Sequence, residues 1–100
     1  MIAVATPGHT PGHLSVIAIE NGISYFIAGD LTYDQAALIK QDFQGPSEVP
    51  NEQPQSLAKA LQYTQENPTV YLPSHDPESG KRLANVQIVP MTNSKVLQTA

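Results

Sequence analysis

Thr6-Pro7-Gly8-His9-Thr10-Pro11-Gly12-His13 is the stretch on which the reading of this chain turns. Two histidines, two prolines and two glycines share its eight residues. Proline fixes φ and glycine permits positive φ, so the stretch is a stiff, tightly turned loop and not a helix. The spacing of His9 and His13 therefore does not place them on one helical face. A loop this constrained aims imidazoles at a fixed point, and neutral imidazole is the commonest metal ligand. The third histidine, His75, also lies in a proline turn, Leu72-Pro73-Ser74-His75-Asp76-Pro77. Asp30 closes the apolar run Tyr25-Phe26-Ile27-Ala28-Gly29-Asp30. Metal sites draw ligands from separated segments, and His, Asp and His at three strand ends fit that pattern.

Working outward, residues 1–5 form a short apolar run, enough for one strand feeding the loop. Residues 14–20 are rich in Val and Ile and read as a buried strand. Asn21-Gly22 is a strong hairpin signal, and residues 23–28 form the returning strand. Thr32-Tyr33-Asp34-Gln35 fits a capping box with Thr32 as cap, ahead of a short helix to about Lys40. Residues 41–53 are polar, contain Gly45, Pro46 and Pro50, and read as a surface loop. Pro54 suits the first turn of a second helix. Leu57, Ala60, Leu61 and Thr64 give that helix its buried stripe, with Lys59, Gln62 and Glu66 outside. Pro68 ends it, and residues 69–72 form a short strand. Asp76-Pro77 reads as a cap and first position of a third helix running to about Asn85. Residues 86–89 are expected to add a last strand, and 91–100 to be a frayed tail. The expected order is β-ββ-α-α-β-α-β, an α/β arrangement in one domain over residues 1–90.

Composition narrows the function. The net charge is −4 and the five Lys and Arg residues are scattered, which argues against nucleic acid or an anionic membrane as partner. There is no cysteine, so any metal must be held by histidine and carboxylate. The longest apolar run is far short of a membrane span and no export signal is visible, which points to the cytoplasm. Neither a phosphate loop nor a Gly-x-Ser-x-Gly elbow is present.

Each singled-out residue also has an ordinary structural role. Turn histidines commonly bond backbone groups, and an aspartate after a strand commonly caps a turn. His75 has Asp76 beside it as a simple ionic partner. Tyr33 can pack under the first helix, or its phenol can reach a substrate carbonyl beside a metal. Glu48, Glu52, Glu66 and Glu78 read as solvated surface.

Taken together, residues 6–13, Gly29-Asp30 and Ser74-His75-Asp76 resemble the metallo-β-lactamase superfamily. More narrowly, Gly29-Asp30-Leu31-Thr32-Tyr33 and Val70-Tyr71-Leu72-Pro73-Ser74-His75-Asp76-Pro77 look like N-acyl homoserine lactonases, the quorum-quenching branch. The resemblance covers about residues 2–89, and glyoxalase II-like hydrolases share its general frame. It implies a site of two zinc ions in which His9 and His75 are ligands and Asp30 bridges. Tyr33 is implied to polarise the lactone carbonyl, and His13 to support the loop. Spacing alone does not choose between His9 and His13; the resemblance makes that choice.

The family's His-x-His-x-Asp-His signature does not occur in these 100 residues. The resemblance thus implies the C-terminal half of a two-halved αβ/βα four-layer sandwich, inactive on a lactone or related ester when alone. Other readings are a non-catalytic metal-binding or assembly module, a fragment of a glyoxalase II-like thioester hydrolase, and a remnant without function. The central strands are apolar on both faces, with Val16, Ala18, Ile23 and Tyr25 as well as Ile17, Ile19, Phe26 and Ile27. One face can pack under the helix carrying Leu57 and Leu61. The other is expected to seek the missing half or a second copy.

Overall fold

The computed structural model of the chain describes residues 1–7, 12–41 and 53–91. Four strands, β1 (Ile2–Ala5), β2 (Leu14–Glu20), β3 (Ile23–Gly29) and β4 (Thr69–Pro73), form one sheet in that spatial order. Neighbours β1, β2 and β3 are antiparallel, and β4 runs parallel to β3. A parallel neighbour requires a crossover, and helices α1 (Gln35–Lys40) and α2 (Gln53–Glu66) lie within it. Helix α3 (Ser79–Asn85) follows β4. The class is α/β with a mixed sheet, and no described helix is long and apolar enough to cross a membrane. Of the expected loop at 41–53 and tail at 91–100, residues 42–52, with Glu48 and Glu52, and 92–100 lie outside the described residues, and Gln53 already belongs to α2.

Asn21 and Gly22 turn the β2–β3 hairpin with φ of 54° and 80°. Positive φ at both central residues matches the right-handed twist of the strands, which is why this dipeptide closes hairpins. Register then sorts the side chains by face. Ile2, Ile17, Phe26 and Tyr71 stand in one row across the four strands. Ile17, Phe26 and Tyr71 form the core with Leu38, Leu57 and Ala60 of the two helices. Phe26 lies between Tyr71 and Tyr63, with ring centroids 5.6 and 6.0 Å away.

The opposite face carries the row Ala3, Val16, Ile27 and Leu72 beside Leu14, Ala18, Tyr25 and Ile23. Leu14 is 57% and Ile27 45% exposed, and Val16, Ala18, Ile23 and Tyr25 are half-buried. Ile19 belongs to the covered face by register but is exposed at the sheet's end.

Three expectations are corrected. Residues 86–89 do not form a strand. A fifth strand beside β4 would need that edge's carbonyls, and they are taken. Ser79 Oγ donates to Pro73 O at 3.0 Å and Arg82 Nε to Tyr71 O at 3.1 Å. Only Thr69 O is left for the segment, and Val89 N takes it at 2.8 Å. Asp34, not Thr32, caps α1, accepting from Ala37 N at 2.8 Å. The Thr32 hydroxyl is buried and spends its proton on Asp34 O while accepting from Tyr71 OH at 2.9 Å. Asp76 is not the cap of α3, which starts at Ser79 after Glu78.

Asp76 instead forms a buried ion pair with Arg82 at 2.8 Å. It also accepts from Glu78 N at 2.8 Å and from Gln35 N at 3.1 Å. It thereby ties the starts of α1 and α3 to Arg82, and Arg82 seals the edge of β4. Burial alone would raise the carboxyl pKa. The Glu78 amide, the Arg82 guanidinium and the Gln35 amide outweigh that and hold it below the ordinary carboxylate value.

A depressed folded-state pKa gives stability that is complete above the unfolded value of about 3.9 and is lost as pH falls through the folded value. Denaturant titrations should therefore show stability declining below about pH 4, with that component absent from Asp76→Asn. At neutral pH, Asp76→Asn should cost about 3–5 kcal/mol, because Arg82 is left buried without its partner.

Candidate functional site

Strand direction assembles the site. β1 is antiparallel to β2 and β2 to β3, so β1, β3 and β4 all run the same way. Their C-terminal ends meet at one edge of the sheet, where α/β sheets place their ligands. Thr6 and Pro7 leave β1 there, Asp30 leaves β3, and Ser74-His75 leaves β4.

The backbone fixes how Asp30 and His75 meet. A register irregularity between Ile27 and Gly29 shortens the β3 ladder against β4, and Gly29 pairs with Pro73. Ser74 N donates to Gly29 O at 2.8 Å. The residues after the bonded Gly29 and Ser74 are Asp30 and His75, and their side chains converge. His75 Nε2 lies 3.0 Å from Asp30 Oδ1, with side-chain exposures of 61% and 36%. His75 is thus partnered with Asp30, while the neighbouring Asp76 turns inward to Arg82. The Tyr33 ring meets the imidazole edge-on, with centroids 5.3 Å apart and planes at 66°.

His13 approaches Asp30 from the other side. Its Nε2 accepts from Asp30 N at 3.0 Å, and its Nδ1 lies 2.9 Å from Thr6 Oγ1. Both ring nitrogens are engaged, which leaves no lone pair for a metal. The loop is closed at its base by Thr6 N donating to His13 O at 3.0 Å. Helix α2 holds the strand exit, with Lys59 Nζ on Ala5 O at 3.0 Å and Ser56 Oγ on Pro7 O at 2.7 Å. His9 lies outside the described residues.

Of the residues singled out in the sequence, the structure brings Asp30, His75, Tyr33 and His13 together. Among the described residues, no three His, Cys, Asp or Glu side chains form a group that could hold a metal ion. Asp30 and His75 do fit as two ligands of one ion. Donors about 2.0–2.1 Å from a tetrahedral zinc stand about 3.3 Å apart, near the separation seen here. Both side chains are partly open to solvent.

Sequence reasoning missed Thr6 and Ser15, which are 1% and 0% exposed. The signal for Ser15 was a hydroxyl at a core-facing position of an otherwise apolar strand. It missed Arg82 as well, whose spacing of six from Asp76 matches no helical periodicity because a turn intervenes. Compared with models of known protein families and with curated proteins, the chain matches none.

Gly29 adopts φ of +61°, and a Cβ there would stand 3.1 Å from His13 Nε2. Left-handed backbone costs a residue with a side chain about 1–2 kcal/mol before any contact is counted. Gly29→Ala should lower stability by at least about that much and displace His13 from Asp30. Denaturant unfolding and the His13 and Asp30 resonances check this.

Proposed function

We propose that the chain is the C-terminal half of a zinc-dependent hydrolase of the metallo-β-lactamase type, acting on N-acyl homoserine lactones by ring-opening hydrolysis. The observation that supports it is the 3.0 Å approach of Asp30 Oδ1 and His75 Nε2 at adjacent strand ends, with the Tyr33 ring against that histidine. His9 and His75 would each hold one ion, and Asp30 would be shared between them. His13 is the second histidine of the loop and does not ligate, in keeping with its two engaged nitrogens. Bound zinc would supply Lewis acidity toward the carbonyl and a nucleophile at neutral pH. Tyr33 donates a hydrogen bond to the lactone carbonyl and orients the ring. Two histidines and one carboxylate are fewer donors than two tetrahedral ions require, so a second half provides the rest.

The sheet face bearing Leu14, Val16, Tyr25 and Ile27 is the seat of that second half. Four strands of about five to six residues span roughly 350 Å² at ordinary strand spacing. An apolar patch of a few hundred Å² is already as large as monomers usually expose. Covering it is worth about 1.5–3 kcal/mol for each large side chain fully buried.

The chain alone, supplied with zinc, should show negligible lactone hydrolysis. Mixed with the N-terminal half of a lactonase of this branch, it should recover activity. His9→Ala, Asp30→Ala and His75→Ala should each abolish the recovered activity, with His13→Ala less damaging. Turnover of about 1 per second by the chain alone would overturn the half-site reading, since that is an ordinary enzyme rate. Hydrolysis of thioesters in place of lactones by the mixture would select the glyoxalase II-like reading.

Without its other half, the chain should self-associate at micromolar concentration by light scattering. Ile27→Lys should reduce that association. A dispersed monomer with cooperative unfolding would overturn the assignment of this face.

A further inference from the structure

The four polar groups beneath Asp30 form a relay with one possible direction. An amide N–H can only donate, so the 3.0 Å contact from Asp30 N makes His13 Nε2 the acceptor. The neutral ring then carries its proton on Nδ1 and donates to Thr6 Oγ1 at 2.9 Å. Thr6 Oγ1, having accepted, donates its own proton to Ser15 Oγ at 2.9 Å. Ser15 Oγ donates in turn to Ala28 O at 3.3 Å. The relay begins at the amide of residue 30 and ends at the carbonyl of residue 28. It therefore spans Gly29, the residue with positive φ at which the β3 ladder shifts register. Ala28 O also accepts from Leu31 N at 3.2 Å, and Gly29 O from Ser74 N at 2.8 Å.

We infer that Thr6 and Ser15 are positioning residues for Asp30, acting through a His13 held in the Nδ1–H tautomer. The inference rests on the proposed role of Asp30, but the relay itself is independent of any metal. Thr6 and Ser15 are buried, so each hydroxyl needs a partner, and the relay supplies one to each. Breaking any member leaves a buried polar group unsatisfied and frees the 28–30 turn to relax. The direction in which the Asp30 carboxylate points is set by that turn. Groups that orient a ligating side chain typically change metal affinity about 10–100-fold when removed.

The test uses the full chain and three variants. Thr6→Val removes the hydroxyl at nearly constant shape, Thr6→Ser keeps it, and Ser15→Ala cuts the far end. Nitrogen-15 spectra of the histidine rings at neutral pH report the tautomer, and hydrogen exchange reports the Asp30 amide. The expected wild-type result is a single Nδ1–H tautomer for His13 and a protected Asp30 amide. Thr6→Val should mix the tautomers, speed Asp30 exchange relative to global unfolding, and weaken binding of zinc or cadmium about 10-fold. Thr6→Ser should restore all three readouts, and Ser15→Ala should fall between the two. A wild-type His13 in the Nε2–H tautomer overturns the inference, and this holds even if Thr6→Val does not fold. So does a Thr6→Val chain with wild-type tautomer and exchange, since that is what a merely space-filling threonine predicts. If the relay readouts behave as expected but the wild-type chain binds neither metal, the positioning stands and metal binding by this chain alone fails.

Discussion

The hydrogen bond from Ser74 N to Gly29 O, 2.8 Å long, is the point on which the site depends. It is the last rung between parallel strands, and both chains turn away immediately after it. Parallel pairing puts the two exits on the same side, so the residues after the rung face each other. Had β4 joined β3 antiparallel, its C-terminal end would lie at the opposite edge, a full strand length from Asp30. The crossover through α1 and α2 thus does more than supply the core. It is what allows a carboxylate and an imidazole 45 residues apart in sequence to approach within 3.0 Å.

Two polar systems hold this rung from opposite sides. On the β3 side, the relay from Asp30 N to Ala28 O fastens the bulged turn to β1 and β2. On the β4 side, Asp76 and Arg82 fasten the exit of that strand to the starts of α1 and α3. Tyr71 links this side to α1 as well. Its hydroxyl donates to Thr32, and its burial pushes the phenol pKa above the ordinary range, so it stays neutral. Neither system contributes an exposed functional group. Their effect is to make two exposed groups, Asp30 and His75, meet on a rigid base.

The parts of this architecture governed by local rules were legible in the sequence. Asn21-Gly22 announced its hairpin because the turn demands positive φ, and Pro68 ended α2 because it disfavours helix at the residue before it. The stripe of Leu57, Ala60 and Thr64 gave the covered side of α2 by periodicity alone. Failures fell where a tertiary partner outbid a local one. Thr32 fits a capping box, yet its hydroxyl is claimed by Tyr71, and the next suitable oxygen, on Asp34, became the cap. Asp76 looked like a helix cap or a partner for His75, but Arg82, six residues on, holds it inside. Residues 86–89 have strand composition but find only one free carbonyl on β4. For the site, Asp30, His75 and Tyr33 were visible as residues at strand ends. The relay was not, because Thr6 and Ser15 become adjacent only through the β1–β2 register, which a single sequence does not state.

That register and the relay support each other. Val4 pairs with Ser15 and Ala5 with Leu14, so a slip of one residue would exchange the two faces of β1 relative to β2. Ile2 and Val4 would then turn to the outer face, and the Thr6–Ser15 bond would be lost. β1 is apolar at every position, Ile2-Ala3-Val4-Ala5, so its own side chains choose weakly between these registers. What distinguishes them is polar: the Ser15 hydroxyl meets its donor, Thr6, in the observed register. The buried hydroxyl pair thus favours one register of β1 on β2. The faces of β2 itself are set on its other side, where the Asn21-Gly22 turn fixes its pairing with β3 and leaves Leu14 and Val16 on the outer face. The relay beneath Asp30 depends on the first choice, and the uncovered apolar face on the second.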